Sequence, residues 1–341
     1  MTPPAVSVIT PTFNQVHYLR RCVASVENQS FRDWEQIIVD DGSSDGTEDY
    51  ASKIRDSRVN YIRQRHTGIE NLHIIYNRAL NESRAPLVAI VEGDDFWPSW
   101  KLGMQVPVMS NRDVLLSYGS AGLVTTGNAP YAVVGGHLRS RDVLMNNPIG
   151  TVLKRLLFTN FIPSVTLVIR REALDTIGGF KQPNGTRAVD SATCVSLSLD
   201  GKFAYIPRVL GYSQRHTLSV THGINSSYQL AAKEGLSACV FGLQFLRENM
   251  QNGRLPVHLW YLEKELRHHV ERIPDLALLN NARLLLARQE WTKGGVAFSR
   301  LAKSQFPVFK VAGLLGMLAV AARFNFERFV GNVNAFPMQF E

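Results

Sequence analysis

Leu87-Val88-Ala89-Ile90-Val91-Glu92-Gly93-Asp94-Asp95-Phe96-Trp97 sets three acidic side chains directly after five apolar residues. The apolar run has the length and β-branched content of a buried strand. Carboxylates are seldom held beside such a strand without a partner, and open α/β sheets bind their ligands beyond the carboxyl ends of the strands. An all-oxygen group with no Cys or His beside it suits Mg²⁺ or Mn²⁺, ions that hold a phosphate together with protein carboxylates. A strand ending in a solvated acidic turn is the other reading of the same residues.

Upstream of this stretch, short β-branched runs alternate with helical periodicity, the pattern of a sheet covered by helices. Strands are predicted over residues 6–10, 36–40, 59–64 and 87–91. A helix is predicted over 18–27, with Leu19, Cys22, Val23 and Val26 on one face, and others over 72–81 and 98–109. Asp45 or Thr47 is positioned to cap the segment that enters Tyr50 and Ile54. Downstream, strands are expected over 114–118, 131–134, 164–170 and 202–206, helices over 151–158, 171–177 and 190–199, and Gly-, Asn- and Pro-rich loops between 120 and 147. After about Gly223 only helical signals remain, over 226–249, 257–271, 275–289 and 294–303, with Gly253, Pro256, Pro274 and Pro307 as breaks. The expected organisation is an α/β domain over residues 1–223 and a helical region over 224–341.

Composition narrows the function classes. The chain has 341 residues, 45% of them hydrophobic, enough for a sizeable core. Lys and Arg number 37 against 29 Asp and Glu, an excess of +8 that suits anionic partners such as phosphorylated substrates or an anionic membrane surface. The basic residues are scattered and form no recognised nucleic-acid module. Cys22, Cys194 and Cys239 form no Cys-x-x-Cys pair, which argues against a zinc site or disulfide framework and for reduced thiols. No secretory leader is expected before the first strand. The apolar stretch 308–324 is broken by Lys310 and Arg323, leaving twelve uninterrupted residues where a span needs about twenty. A cytoplasmic protein is expected, peripheral on the membrane if its apolar C-terminal helix lies in the interface; packing on the α/β domain or in a homodimer is the alternative.

Four islands in the first two thirds of the chain resemble the family 2 glycosyltransferases of GT-A fold, inverting enzymes that use nucleotide-diphosphate sugars. They are Val6-Ser7-Val8-Ile9-Thr10-Pro11-Thr12-Phe13-Asn14, then Val39-Asp40-Asp41-Gly42-Ser43-Ser44-Asp45-Gly46-Thr47, then the opening stretch continued through Pro98-Ser99-Trp100-Lys101-Leu102 to Gln105, and finally Gly178-Gly179-Phe180 with Asp190 and 200–207. The resemblance implies a Rossmann-like mixed sheet with a helical C-terminal appendage. It implies that Pro11, Thr12, Phe13 and Asn14 lie against the nucleotide and that Asp41 accepts the N–H of uracil or another base. Asp94 would face the ribose and the metal, and Asp95 would coordinate Mg²⁺ or Mn²⁺ on the diphosphate, with Glu92 standing where the motif usually begins with Asp. Asp190 would be the general base that takes the acceptor hydroxyl's proton, although Val189 replaces the expected Glu before it and a helix N-cap is its other reading. Arg215 is similar to a phosphate contact and His216 to a metal or diphosphate contact in the segment that closes these sites. The implied partners are a nucleotide-diphosphate sugar, UDP-linked above others, and a saccharide or lipid-linked acceptor. Two other classes compete: nucleotidyl transfer, whose Gly-rich basic loop is missing after Thr10, and a catalytically impaired scaffold of the same fold that binds nucleotide sugars.

Overall fold

A computed structural model of the chain describes residues 3–125, 130–136, 140–216, 219 and 227–324. The chain divides between Arg215 and His216 into two compact units. The boundary expected between residues 223 and 224 lies outside the described residues.

In the first unit, β1 (Val6–Thr12) runs parallel to β2 (Trp34–Asp40) on one side and to β4 (Leu87–Ile90) on the other, while β2 pairs parallel with β3 (Val59–Arg63). Every residue of β1, β2 and β4 is buried, so both faces of these strands are covered. Helix α1 (Val16–Glu27) buries Leu19, Cys22, Val23 and Val26, the predicted stripe, along with Val16. Short α2 (Thr47–Ala51) follows β2, and α3 (Leu72–Glu82) buries Ile75, Tyr76, Ala79 and Leu80. Gly46 stands at the N-cap position of α2, and Asp45 just before it serves both helices: its Oδ1 accepts the Thr47 N–H at 3.2 Å at the start of α2, and its Oδ2 accepts the Val16 N–H at 2.8 Å at the start of α1.

Beyond β4 and α4 (Lys101–Val108) the sheet turns mixed. Its order is β3-β2-β1-β4-β7-β5-β6, with β5 (Val114–Val124), β6 (Ala132–Val134) and β7 (Val168–Arg170) antiparallel to their neighbours and β8 (Lys202–Gln214) parallel to β5. Helices α5 (Arg141–Met145), α6 (Leu153–Phe158), α7 (Arg171–Thr176) and α8 (Asp190–Leu197) complete the unit. Strands β5 and β8 run well past their predicted ends at 118 and 206. The glycines that suggested loops there instead allow close packing: a Cβ on Gly119 would stand 2.8 Å from the Arg208 carbonyl oxygen, and one on Gly122 2.8 Å from the Tyr212 ring. The strand predicted over 164–170 is a 3₁₀ turn, Ser164–Thr166, followed by the shorter β7.

The second unit is helical: α9 (Tyr228–Gln251), α10 (Tyr261–Ala287), α11 (Trp291–Leu301) and α12 (Pro307–Ala321). Two predicted helices, 257–271 and 275–289, are one. Pro274 lies inside α10, where Ile273, Leu276, Ala277 and Leu278 are all buried, and packing on both sides carries the helix through the lost N–H. Leu286, Phe298, Leu301 and Phe309 centre the core of this unit. Among the described residues no helix is long and apolar enough to cross a membrane.

Candidate active site

The order of the strands reverses between β1 and β4, which makes the carboxyl ends of β1, β2 and β4 the crevice where an open α/β sheet binds ligands. The loops leaving these three strands are tied together by backbone. Thr12 O accepts the Asp41 N–H at 3.0 Å, and Pro11 O accepts the Gly93 N–H at 2.9 Å. Asn14 sits at φ 51, its N–H on Ser43 Oγ and its Oδ1 taking the Ser44 N–H, both at 2.8 Å. A Cβ at Gly93 would stand 2.6 Å from Thr12 Oγ1, so only glycine fits between Glu92 and Asp94.

Asp41 is 2% exposed, and its carboxylate is fully engaged. Oδ1 accepts from Gln64 Nε2 at 2.9 Å, the Thr67 N–H at 3.0 Å and Thr67 Oγ1 at 2.9 Å; Oδ2 accepts from the Gly68 N–H at 3.1 Å and lies 2.8 Å from His66 Nδ1. A carboxylate offers about four lone-pair sites, so these donors saturate it. The His66 ring stacks on the exposed Phe13 ring, centroids 4.1 Å apart. Residues 64–68 therefore cover the position that sequence reasoning reserved for a base. Neighbouring Asp40 is structural: it takes the Ser43 N–H and the Tyr61 hydroxyl.

The acidic turn after β4 separates its three members. Glu92 accepts the Tyr76 hydroxyl at 2.6 Å on one oxygen and the Ser164 hydroxyl at 3.1 Å on the other. Burial pushes its carboxyl up to about 7, with the charges of Asp94 and Asp190 adding to the rise. Asp95 is buried and accepts the Gln214 N–H at 2.9 Å; burial and the Asp94 and Glu92 charges drive its carboxyl well above the usual range, against the pull of Arg215. Asp94 is half-buried between them. Phe96 pairs with Tyr212 through reciprocal backbone hydrogen bonds and a ring stack at 4.8 Å, which clamps the turn onto β8. The Arg21 guanidinium covers the same Phe96 ring, 3.2 Å from its centroid. Burial and the Asp95 charge raise the Cys22 thiol well above its ordinary value, so it is a protonated core thiol.

Asp190 is the first residue of α8 and not its cap, which is Val189. Its Oδ2 accepts Asn160 Nδ2 at 2.8 Å, and burial raises its carboxyl against the opposing hydrogen bonds from Asn160 and the Ser191 N–H. Its charge acts on both Glu92 and Tyr76. Val189 is buried and serves the core. Arg215 ends β8's extension with its N–H on Val124 O. His216 opens the helical unit.

Sequence reasoning missed Asn160, Tyr76, Ser164, His66 and Thr67. Asn160, just past α6 and ahead of Pro163, stood in a stretch where no motif assigns a role. Tyr76 reads as one more apolar residue of a helix face.

The surplus of buried negative charge around Asp95 is what a divalent cation relieves, so the residues present fit such an ion. Among the described residues no three His, Cys, Asp or Glu side chains converge into a closed ligand shell. Asp94 and Asp95 fit an open site, in which substrate oxygens and water supply the remaining ligands.

The family model for glycosyl transferase family 2 matches residues 7–178. The protein named as teichuronic acid biosynthesis glycosyltransferase TuaG of Bacillus subtilis is 31% identical over 214 residues, 59% of this chain and 75% of TuaG. The UDP-Glc:alpha-D-GlcNAc-diphosphoundecaprenol beta-1,3-glucosyltransferase WfgD of Escherichia coli is 26% identical over 170 residues, 50% of this chain and 62% of WfgD. Among solved structures, the Pyrobaculum calidifontis mannosyltransferase PcManGT, determined with GDP-Man and Mn²⁺, superposes with a TM-score of 0.55 at 17% identity, covering 98% of this chain and 86% of its own. That likeness is one of fold. The chain therefore belongs to glycosyl transferase family 2 and is a nucleotide-sugar-dependent glycosyltransferase of GT-A fold.

Proposed function

We propose that the chain transfers a sugar, with inversion, from a nucleoside-diphosphate sugar to a hydroxyl of a saccharide or lipid-linked acceptor in cell-surface polysaccharide synthesis. The observation that supports this reading most is that the charge of Asp190, held by Asn160, acts on Glu92, which opens the turn carrying Asp94 and Asp95. The donor's base lies along Pro11–Asn14, against Phe13, and reaches Asp41 by exchanging for the Thr67 and Gly68 donors. UDP is the favoured nucleotide and a lipid-linked saccharide the favoured acceptor, by likeness to WfgD, whose name specifies both. Asp94 and Asp95 would hold Mg²⁺ or Mn²⁺, and Arg215 adds a positive charge that acts on Asp95. The ion, when bound, neutralises the departing diphosphate.

Asp190 takes the proton of the acceptor hydroxyl as that oxygen bonds to the anomeric carbon. The anomeric C–O bond to the diphosphate breaks on the opposite face, and the nucleoside diphosphate leaves. The raised carboxyl of Asp190 makes it a stronger base than an ordinary carboxylate. Glu92 orders the turn through Tyr76 and Ser164. The test is nucleoside diphosphate release from UDP-, GDP- and dTDP-sugars with Mn²⁺, for wild type, Asp95→Ala and Asp190→Asn. Loss in both variants is expected; activity surviving both overturns the site.

A further inference from the structure

Helix α12 is built inside out for a helix in water. The side it turns to α11 is small: Gly313, Gly316 and Ala319 are buried there beside Phe309. A Cβ on Gly313 would stand 2.3 Å from the Ala302 backbone nitrogen, and one on Gly316 2.1 Å from the Phe298 ring, so the two helices pack as closely as their backbones allow. The large aliphatic side chains point the other way. Val308 is 64% exposed, Val311 54%, Leu314 47%, Leu315 60% and Leu318 67%, a stripe at helical spacing about 15 Å long. Single exposed apolar residues are ordinary, but a contiguous row of this kind marks a surface that meets something apolar.

Charge identifies what it meets. From Trp291 to Phe324 the chain has five cations (Lys293, Arg300, Lys303, Lys310 and Arg323) and no Asp or Glu. Lys303, Lys310 and Arg323 are exposed at and beyond the ends of the stripe. A second copy on the same face would set like charges against each other. Aliphatic residues along one side of a helix with cations at its margins match an anionic bilayer surface, where the apolar side chains enter the acyl boundary and the cations meet the headgroups. At fifteen residues α12 is too short to span a bilayer, so it lies along the interface.

We propose that α12 docks this enzyme on an anionic membrane surface through Val308, Val311, Leu314, Leu315 and Leu318. The docking does not depend on the catalytic assignments. Flotation of the full chain with vesicles of phosphatidylcholine alone, or of phosphatidylcholine with phosphatidylglycerol, tests it. Recovery with the anionic vesicles should exceed that with the neutral ones by roughly tenfold and fall at raised salt. The pair Leu315→Glu and Leu318→Glu should abolish flotation while leaving the thermal midpoint and nucleoside diphosphate release unchanged, since both side chains already stand in water. Lys310→Gln with Arg323→Gln should erase the preference for anionic vesicles. Equal flotation of wild type and the leucine pair overturns the proposal, as does failure of the wild type to float. A concentration-dependent dimer in light scattering that the leucine pair dissolves, with no vesicle binding, overturns it in favour of a second copy.

Discussion

Asn160 Nδ2 donates to Asp190 Oδ2 at 2.8 Å, joining the loop after α6 to the first turn of α8 across thirty residues of sequence. The bond opposes the burial that raises the Asp190 carboxyl. Asn160→Ala leaves that burial less opposed, so the carboxyl rises further and less of it is ionised at a given pH. A general base works only when ionised, and hydrogen bonds to charged groups contribute about 1.5–3 kcal/mol. The acidic limb of the kcat/KM profile should therefore move to higher pH by about one unit, each unit being about 1.4 kcal/mol. An unmoved limb would show that Asn160 does not position the base.

Glu92 and Asp95 should respond oppositely to neutral replacement. In Glu92→Gln the carbonyl still accepts from Tyr76 and the new amide can donate to the Ser164 hydroxyl, while one negative charge leaves a crowded site. With divalent ions chelated, this variant should be more stable than wild type by about 1 kcal/mol, and it should keep its response to Mn²⁺ with UDP. Asp95→Asn should lose that response. Thermal shift with and without Mn²⁺ separates the two, and a Glu92→Gln variant blind to Mn²⁺ would make Glu92 a ligand.

Gly42 and Gly46 offer a matched pair. Both have positive φ, 79° and 90°, so Ala at either costs about 1 kcal/mol in backbone strain. A Cβ on Gly42 would also stand 3.0 Å from His66 N and 3.1 Å from Gln64 O, whereas one on Gly46 meets nothing within 4 Å. Gly42→Ala should displace residues 64–68 and change UDP affinity by about tenfold, a shift of about 1.4 kcal/mol; Gly46→Ala should leave affinity alone. Calorimetric titration of UDP into both variants checks this.

In the helical unit, Gly313→Ala forces a methyl group against the α11 backbone and should cost about 1–3 kcal/mol. Gly295→Ala meets only Val320 Cγ1 at 3.4 Å and lies inside α11, where the exchange should gain up to about 1 kcal/mol. Opposite movement of the two unfolding midpoints is the expected result.

The sheet and the acidic strand ends were legible in the sequence because each is local: β-branched runs, one carboxylate past the last buried residue, a capping pattern at the next helix. Asp41, Asp94 and Asp95 all announce themselves in this way, whereas Asp190 was reached only through the resemblance to the family. Their partners do not. Tyr76 reaches Glu92, Thr67 reaches Asp41 and Asn160 reaches Asp190 through pairings set only when the chain is folded. Local rules also misjudged Gly122 and Pro274, because turn and breaker preferences of about 1–3 kcal/mol yield to packing on both sides of the residue.

Gly93 has a mechanical consequence. With its N–H on Pro11 O and no room for a side chain against Thr12, and with Asp41 N–H on Thr12 O, three loops are keyed to the end of one central strand. For the proposed donor, the reach from Asp41 to Asp95 would act as a gauge set by these backbone ties: a nucleoside diphosphate would meet both ends at once, and one phosphate fewer would leave one end unmet.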